Sequence, residues 1–203
     1  MFLDLSYSDI NIYDFKSDEN WTDFYGYAIE AKPHNAPKPL GKNIDLRMFV
    51  VSDHAGDKMN CCSSNGYMIF MNKSMIDWHI KKHATVESAV IESEFVAIKQ
   101  GVKALRRIRY KLRMMGIEIS GPTYIYGDNI SVVHNTSKHE PVLKKKSNSI
   151  CYHFVREAVS MKECLTTHVP TLQNLADLFM KVLSGKKRRD LVSGVLYDIY
   201  DYE

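Results

Sequence analysis

A chain of 203 residues, 45% hydrophobic and 25% charged, is long enough to bury a sizeable core and points to one principal domain with an appendage. Its formal net charge of +3 excludes a uniformly basic or acidic protein, so any affinity for a polyanion must come from local clusters of lysine and arginine. Four cysteines, with Cys61 and Cys62 adjacent, have neither metal-ligand spacing nor the density of a secreted disulfide scaffold, and they read as reduced thiols.

The first forty residues hold one amphipathic candidate, WTDFYGYAIEA (21–31), followed by KPHNAPKPLGK, whose prolines cannot continue a helix. A boundary is placed before Ile44, which divides the chain into 1–43, a principal domain over 44–198 and a tail over 199–203. Next come IDLRMFVV, GYMIFMN and SMIDWHI, three apolar runs broken at Asn65-Gly66 and at Asn72 to Ser74, which predict an antiparallel meander. From Val86 to Met115 apolar residues recur at steps of three and four, and Gly116 follows; this predicts a long helix, or two nearly continuous ones, with a stop signal. PTYIYGDN (122–129) reads as a short buried strand, ISVVHNT as one or two helical turns, 149–162 as a helix and CLTTHV as a strand. A helix opens near NLADLFMK and another is expected over DLVSGVLYDIY. The order β-β-β-α-β-α-β-α predicts an α/β fold, a mixed sheet flanked by helices.

No segment approaches the ~20 apolar residues of a membrane span, and the start MFLDLSYSD lacks the basic region of a signal peptide. An intracellular setting, cytoplasmic or nuclear, is expected, with no membrane partner. The histidines lack the paired spacing of a zinc site. Trp78 and Tyr126 are expected to be core aromatics.

Four acids fall at related points of this layout: Asp53 at the end of the first strand, Glu94 in the long helix, Asp128 after the fourth strand and Asp177 near the start of a late helix. Each alone is commonly a turn residue or a helix-surface charge. Together they are hard oxygen donors of the kind Mg2+ prefers, and two such ions serve phosphodiester hydrolysis by stabilising both the attacking and the leaving oxygen.

The stretches SDHAGDK, ESEFVAIKQG, IRYKLRMMGI, GPTYIYGDNISVVHNTS, LKKKSNSICYHFVRE and NLADLFMKVL, in that order, resemble the ribonuclease H domain of copia-type retrotransposon Pol polyproteins. The resemblance runs from about Ile44 to Leu196, and NAPKPLGK resembles the connection that follows the reverse transcriptase in those polyproteins. It implies a ribonuclease H-like sheet of five strands, an RNA–DNA hybrid as substrate and two Mg2+ ions. It also implies Glu94, Asp128 and Asp177 as catalytic, metal-binding acids, with Asp53 as a poor substitute for a fourth. Lys81, Lys82, Lys144, Lys145 and Lys146 are the candidate nucleic-acid contacts.

At the first strand the chain departs from the pattern. The family reads Asp-x-Asp followed by an aromatic or His, Ala and Gly, with the first aspartate bridging both ions; here Val51 stands in its place and only Asp53 remains. Cys61, Cys62 and Ser64 also stand where arginines are common in the family. The expectation is a nuclease fold with absent or impaired activity. The alternatives are a non-enzymatic nucleic-acid-binding remnant and a fragment without function.

Overall fold

The computed structural model describes residues 21–56, 59–83, 86, 89–137 and 146–196, with the side chains of 146–148 excepted. β1 (Leu46–Asp53), β2 (Ser64–Met71) and β3 (Ser74–Lys82) form the meander, and β4 (Thr123–Gly127) and β5 (Cys164–His168) complete one sheet in the order β3-β2-β1-β4-β5. β1 pairs antiparallel with β2 and parallel with β4, and β4 pairs parallel with β5. The sheet is therefore mixed, and its central strand is β1. Leu46 and Met48 to Val51 are all buried, as a strand covered on both faces requires.

Alternation along β1 divides the core in two. Leu46, Met48 and Val50 face a cluster built with the helices α2 (Val90–Met114) and α4 (Lys146–Ser160). Phe49 and Val51 face a second cluster with Met68, Phe70, Tyr126, Val169, Leu175 and Ala176. α2 is one continuous helix of 25 residues. Where it crosses β1, Gly101 allows close approach: a Cβ built there stands 2.6 Å from Met48 Cε. Gly116, at φ 74°, closes the helix, with Ile117 N–H donating to Leu112 O.

Three expectations about elements need correction. Asn65 and Gly66 lie within β2, opposite Ser52 and Val51, and form no hairpin turn. The tight contact at Gly66 is with β3: a Cβ there would stand 3.3 Å from the His79 backbone oxygen, with Met180 Sδ in ordinary contact at 3.5 Å. The true β2–β3 turn is Asn72-Lys73, with Asn72 at φ 54°. In the amphipathic stretch 21–31 only α1 (Thr22–Tyr25) is helical, ended by Gly26 at φ 60°. The late helices are α5 (Asp177–Met180) and α6 (Gly185–Ser193), so the last helix starts before DLVSGVLYDIY. Ser184 sets that start by accepting a hydrogen bond from Lys187 N–H. The expectation for residues 197–200 lies outside the described residues. The remaining helix, α3 (Ile130–Ser137), matches its prediction.

Tyr126 is in the core, whereas Trp78 sits on the edge strand β3 and is 58% exposed. The four cysteines are free thiols, and burial pushes the Cys164 thiol up to about 12.

The segment before the boundary at Ile44 packs on this sheet-and-helix body. Trp21 joins the α2 and α4 cluster, and Tyr25 Oη is 2.8 Å from His153 Nδ1. Glu30 takes a bidentate contact from Arg109 (2.7 and 2.9 Å) and a second from Arg113. No helix among the described residues is long and apolar enough to cross a membrane.

Candidate functional site

The ends of β1 and β4 lie side by side because the two strands run parallel, with Phe49 opposite Tyr126. Whatever follows Phe49 and Tyr126 is thereby delivered to one edge of the sheet. On β1 these residues are Val51, Ser52 and Asp53. Val51 is 0% exposed and belongs to the second apolar cluster. Asp53 closes the strand, and its carboxylate lies against the turn that follows: a Cβ on Gly56 would stand 1.8 Å from Asp53 Oδ2. A side chain at position 56 would have to displace that carboxylate. Ala55 takes a φ of 52° and donates its N–H to Ser63 Oγ at 3.2 Å.

Glu94, Asp128 and Asp177 come together. Glu94 sits in the first part of α2 and Asp128 directly after β4. Asp177 opens α5, a start fixed by Asn174, whose Nδ2 donates to Val50 O (2.9 Å) while its Oδ1 accepts from Ala176 N–H (3.1 Å). Burial raises the Glu94 carboxyl, Asp128 and Asp177 raise it further, and Lys181 and a backbone hydrogen bond from Ser52 oppose them. The balance places it at about 8, well above the usual carboxylate range.

Lys181 is the hub. Its Nζ is 3.3 Å from Asp128 Oδ2 and 2.8 Å from Asp177 Oδ1; the second contact is an ion pair without hydrogen-bond alignment. Burial alone lowers the Lys181 ammonium, but Asp177 and Asp128 outweigh it and raise it. From α6, Lys187 Nζ reaches the other Asp177 oxygen at 2.9 Å. Asp177 is thus fully enclosed, with a lysine on each oxygen.

Mg2+ takes oxygen ligands and keeps several waters. At this edge position 51 supplies a hydrocarbon, Asp53 is folded over its turn, and Asp177 has no exposed surface at which a hydrated ion enters. Burial and the neighbouring aspartates raise the Glu94 carboxyl, and one ammonium lies against both remaining carboxylates. Among the described residues no group of three His, Cys, Asp or Glu side chains is placed to hold a metal. The residues as they stand do not fit a two-ion centre.

Of the candidate cations, Lys81 and Lys82 are exposed at the end of β3. Lys144 and Lys145 lie outside the described residues, as does the side chain of Lys146. Sequence reasoning missed Asn174, Lys181 and Lys187. Lys181 carried a signal, standing four residues after Asp177 on a helical pattern. Lys187 reaches Asp177 from a different helix and had none.

No protein-family model matches the chain. The retrovirus-related Pol polyprotein from transposon RE1 of Arabidopsis thaliana is 30% identical over 155 residues, which is 76% of this chain and 11% of the relative. The corresponding polyprotein from transposon TNT 1-94 of Nicotiana tabacum is 25% identical over 147 residues, 72% of this chain and 11% of the relative. The chain therefore spans about a tenth of the length of these relatives. Among solved structures, an N-terminal ribonuclease H domain from Mycobacterium tuberculosis superimposes with a TM-score of 0.50 at 12% identity, covering 74% of this chain and 98% of that one. LC11-RNase H1, solved in complex with an RNA/DNA hybrid, gives 0.50 at 12% identity over 64% of this chain and 88% of its own. These two structures share the ribonuclease H fold with the chain.

Proposed function

We propose that this chain, a ribonuclease H-like domain related to the copia-type retrotransposon Pol polyproteins, descends from a nuclease that cut the RNA strand of RNA–DNA hybrids and has lost most of that activity. In the ancestral arrangement two Mg2+ ions supply the charge stabilisation, and the domain follows a reverse transcriptase in the same polypeptide. An intracellular setting, cytoplasmic or nuclear, belongs to the same reading.

One observation carries it. Val51 is buried at the strand end where the family pattern has its bridging aspartate, while Glu94, Asp128 and Asp177 still converge beside it around Lys181. Convergence of acids from α2, β4 and α5 supports nuclease ancestry, and the hydrocarbon supports its loss. With the Glu94 carboxyl raised by burial and Lys181 against Asp128 and Asp177, these groups are poorly set to receive a cation or to take a proton from water. If the metals supply several kcal/mol to the barrier, and each ~1.4 kcal/mol is tenfold in rate, losing the bridge slows cleavage by roughly a thousandfold or more.

The test is cleavage of a labelled RNA–DNA hybrid in Mg2+ and in Mn2+ by this chain and by Val51→Asp. The natural chain is expected to be near background and the aspartate variant measurably faster. Robust cleavage by the natural chain overturns the reading.

A second reading, binding without turnover, is favoured by the exposure of Lys81 and Lys82 in the same sheet rows as Ser52 and Asp53. Its signature is hybrid binding that weakens as salt rises, because phosphate contacts release counterions.

A further inference from the structure

We infer that the outer strand β3 is a nucleic-acid contact surface in which Trp78 packs against the sugars of a bound RNA–DNA hybrid while Lys82 meets its phosphates. The inference rests on the hybrid reading above and adds a residue and a mode of contact to it.

The sheet register brings this surface to the candidate site. Asp53 pairs with Ser64, and Ser64 with Lys82; Ser52 pairs with Asn65, and Asn65 with Lys81. Lys81 and Lys82 therefore lie two strands from the end of β1, about 10 Å across the sheet, a distance that one duplex spans. One row further in, Ile80 lines up through Gly66 with Val51, and two rows beyond that Trp78 lines up through Met68 with Phe49. Met68, Phe49 and Val51 all belong to the apolar cluster on the face that carries α5, so Trp78 and Ile80 share that face with Asp177.

What covers this face stops short of β3. Met180 packs over Gly66 on β2, and beyond it Ile80 is 49% and Trp78 58% exposed. Two large apolar side chains in alternation on an exposed edge, continued on the same face by the exposed Lys82 while Lys81 points to the opposite face, suit a partner that is apolar in part and anionic in part. The lysines oppose pairing of β3 with another strand and suit phosphates. An A-like hybrid presents sugars and 2′-hydroxyls across a wide, shallow minor groove, where a flat aromatic side chain finds contact without reading sequence.

The chain has two tryptophans, and Trp21 is buried in the core, so the acrylamide-accessible fluorescence belongs to Trp78. Titration with a hybrid is expected to shield that fluorescence. Trp78→Ala, a surface change with no expected effect on the melting temperature, is expected to weaken binding about tenfold, as for an aromatic anchor at an interface, with the dependence of log K on log salt unchanged. Lys82→Gln is expected to lower that slope by about one.

Hybrid binding with Trp78 left accessible and with Trp78→Ala at full affinity overturns the contact and leaves the hybrid reading standing. No binding of hybrid by the unmodified chain overturns both. Shielding of Trp78 by raising the protein concentration alone, with a doubled mass in sedimentation, assigns the strip to a second copy and overturns the contact.

Discussion

At position 51 the physics of stability and the chemistry of the proposed ancestral site pull in opposite directions. A valine there contributes to the cluster of Phe49, Met68, Tyr126 and Ala176, whereas an aspartate brings a charge into apolar surroundings, which costs several kcal/mol unless it is paired. Val51→Asp is therefore expected to melt below the natural chain in EDTA and to recover part of that loss in Mg2+, while the natural chain shows no Mg2+-dependent change; thermal melts of both proteins decide it. A clear Mg2+ stabilisation of the natural chain contradicts the donor-set argument. Glu94 gives a second expectation. Its carboxyl is raised from 4.5 to about 8, so the folded state holds a proton that the unfolded state has released. Stability from this group is accordingly greatest below about 4.5 and declines as pH rises to 8. Glu94→Gln has no such proton to lose, so in EDTA its stability relative to the natural chain should climb between pH 5 and pH 8, by on the order of a few kcal/mol. A difference that is flat with pH refutes the assignment. The acids themselves were legible because each stands in a recognisable local motif. The placement of Asp53 was not, since which way a strand-end side chain turns depends on the Gly56 turn beneath it.

The elements show where local pattern suffices. α2 was legible almost whole: a 3.6-residue period, Glu92 in its first turn, Lys111 and Arg113 in its last, and a glycine to close it. The β1–β2 connection was not, because Asn-Gly is a strong hairpin signal taken alone, and only the pairing of Gly66 with Val51 on one side and Ile80 on the other shows that it belongs inside a strand. α2 also makes a contact that no periodicity announces. Its Arg109 and Arg113 hold Glu30; burial alone raises the Glu30 carboxyl, but the two guanidinium groups override it and depress it to about 2. A depressed carboxyl stabilises the fold fully above its unfolded value of 4.5, and the contribution fades as pH falls toward 2. After allowance for solvent screening this amounts to on the order of 2 kcal/mol. Urea unfolding of the natural chain and of Glu30→Gln should therefore differ most near pH 7 and converge near pH 2. Parallel curves across that range remove Glu30 as their cause.

Over the whole molecule, the class of fold was readable because the alternation of strands and helices limits how the elements pack. The way residues 21–44 join the body was not readable, because it rests on side chains 79 to 128 positions apart in sequence. Trp21 fills a place in the main cluster, Tyr25 meets His153, and Glu30 neutralises an Arg109 that is almost wholly buried. A prolyl stretch between 33 and 39 marks a linker by composition, yet the chain on both sides of it packs against the same helix: Glu30 meets Arg109, and Leu40 N–H donates to Gly116 O at 2.8 Å. Removing the segment leaves a buried guanidinium without its carboxylate, and breaking one partner of a buried pair costs about 3–5 kcal/mol. A chain starting at Ile44 is therefore expected to unfold at a clearly lower urea concentration than the full chain, with Glu30→Ala in the full chain reproducing a large part of the deficit. The remainder belongs to Trp21, since opening a large aromatic site in a packed cluster destabilises independently of charge. Equal midpoints for the shortened and full chains would show that residues 21–43 lie on the domain without supporting it, and would keep the boundary at Ile44.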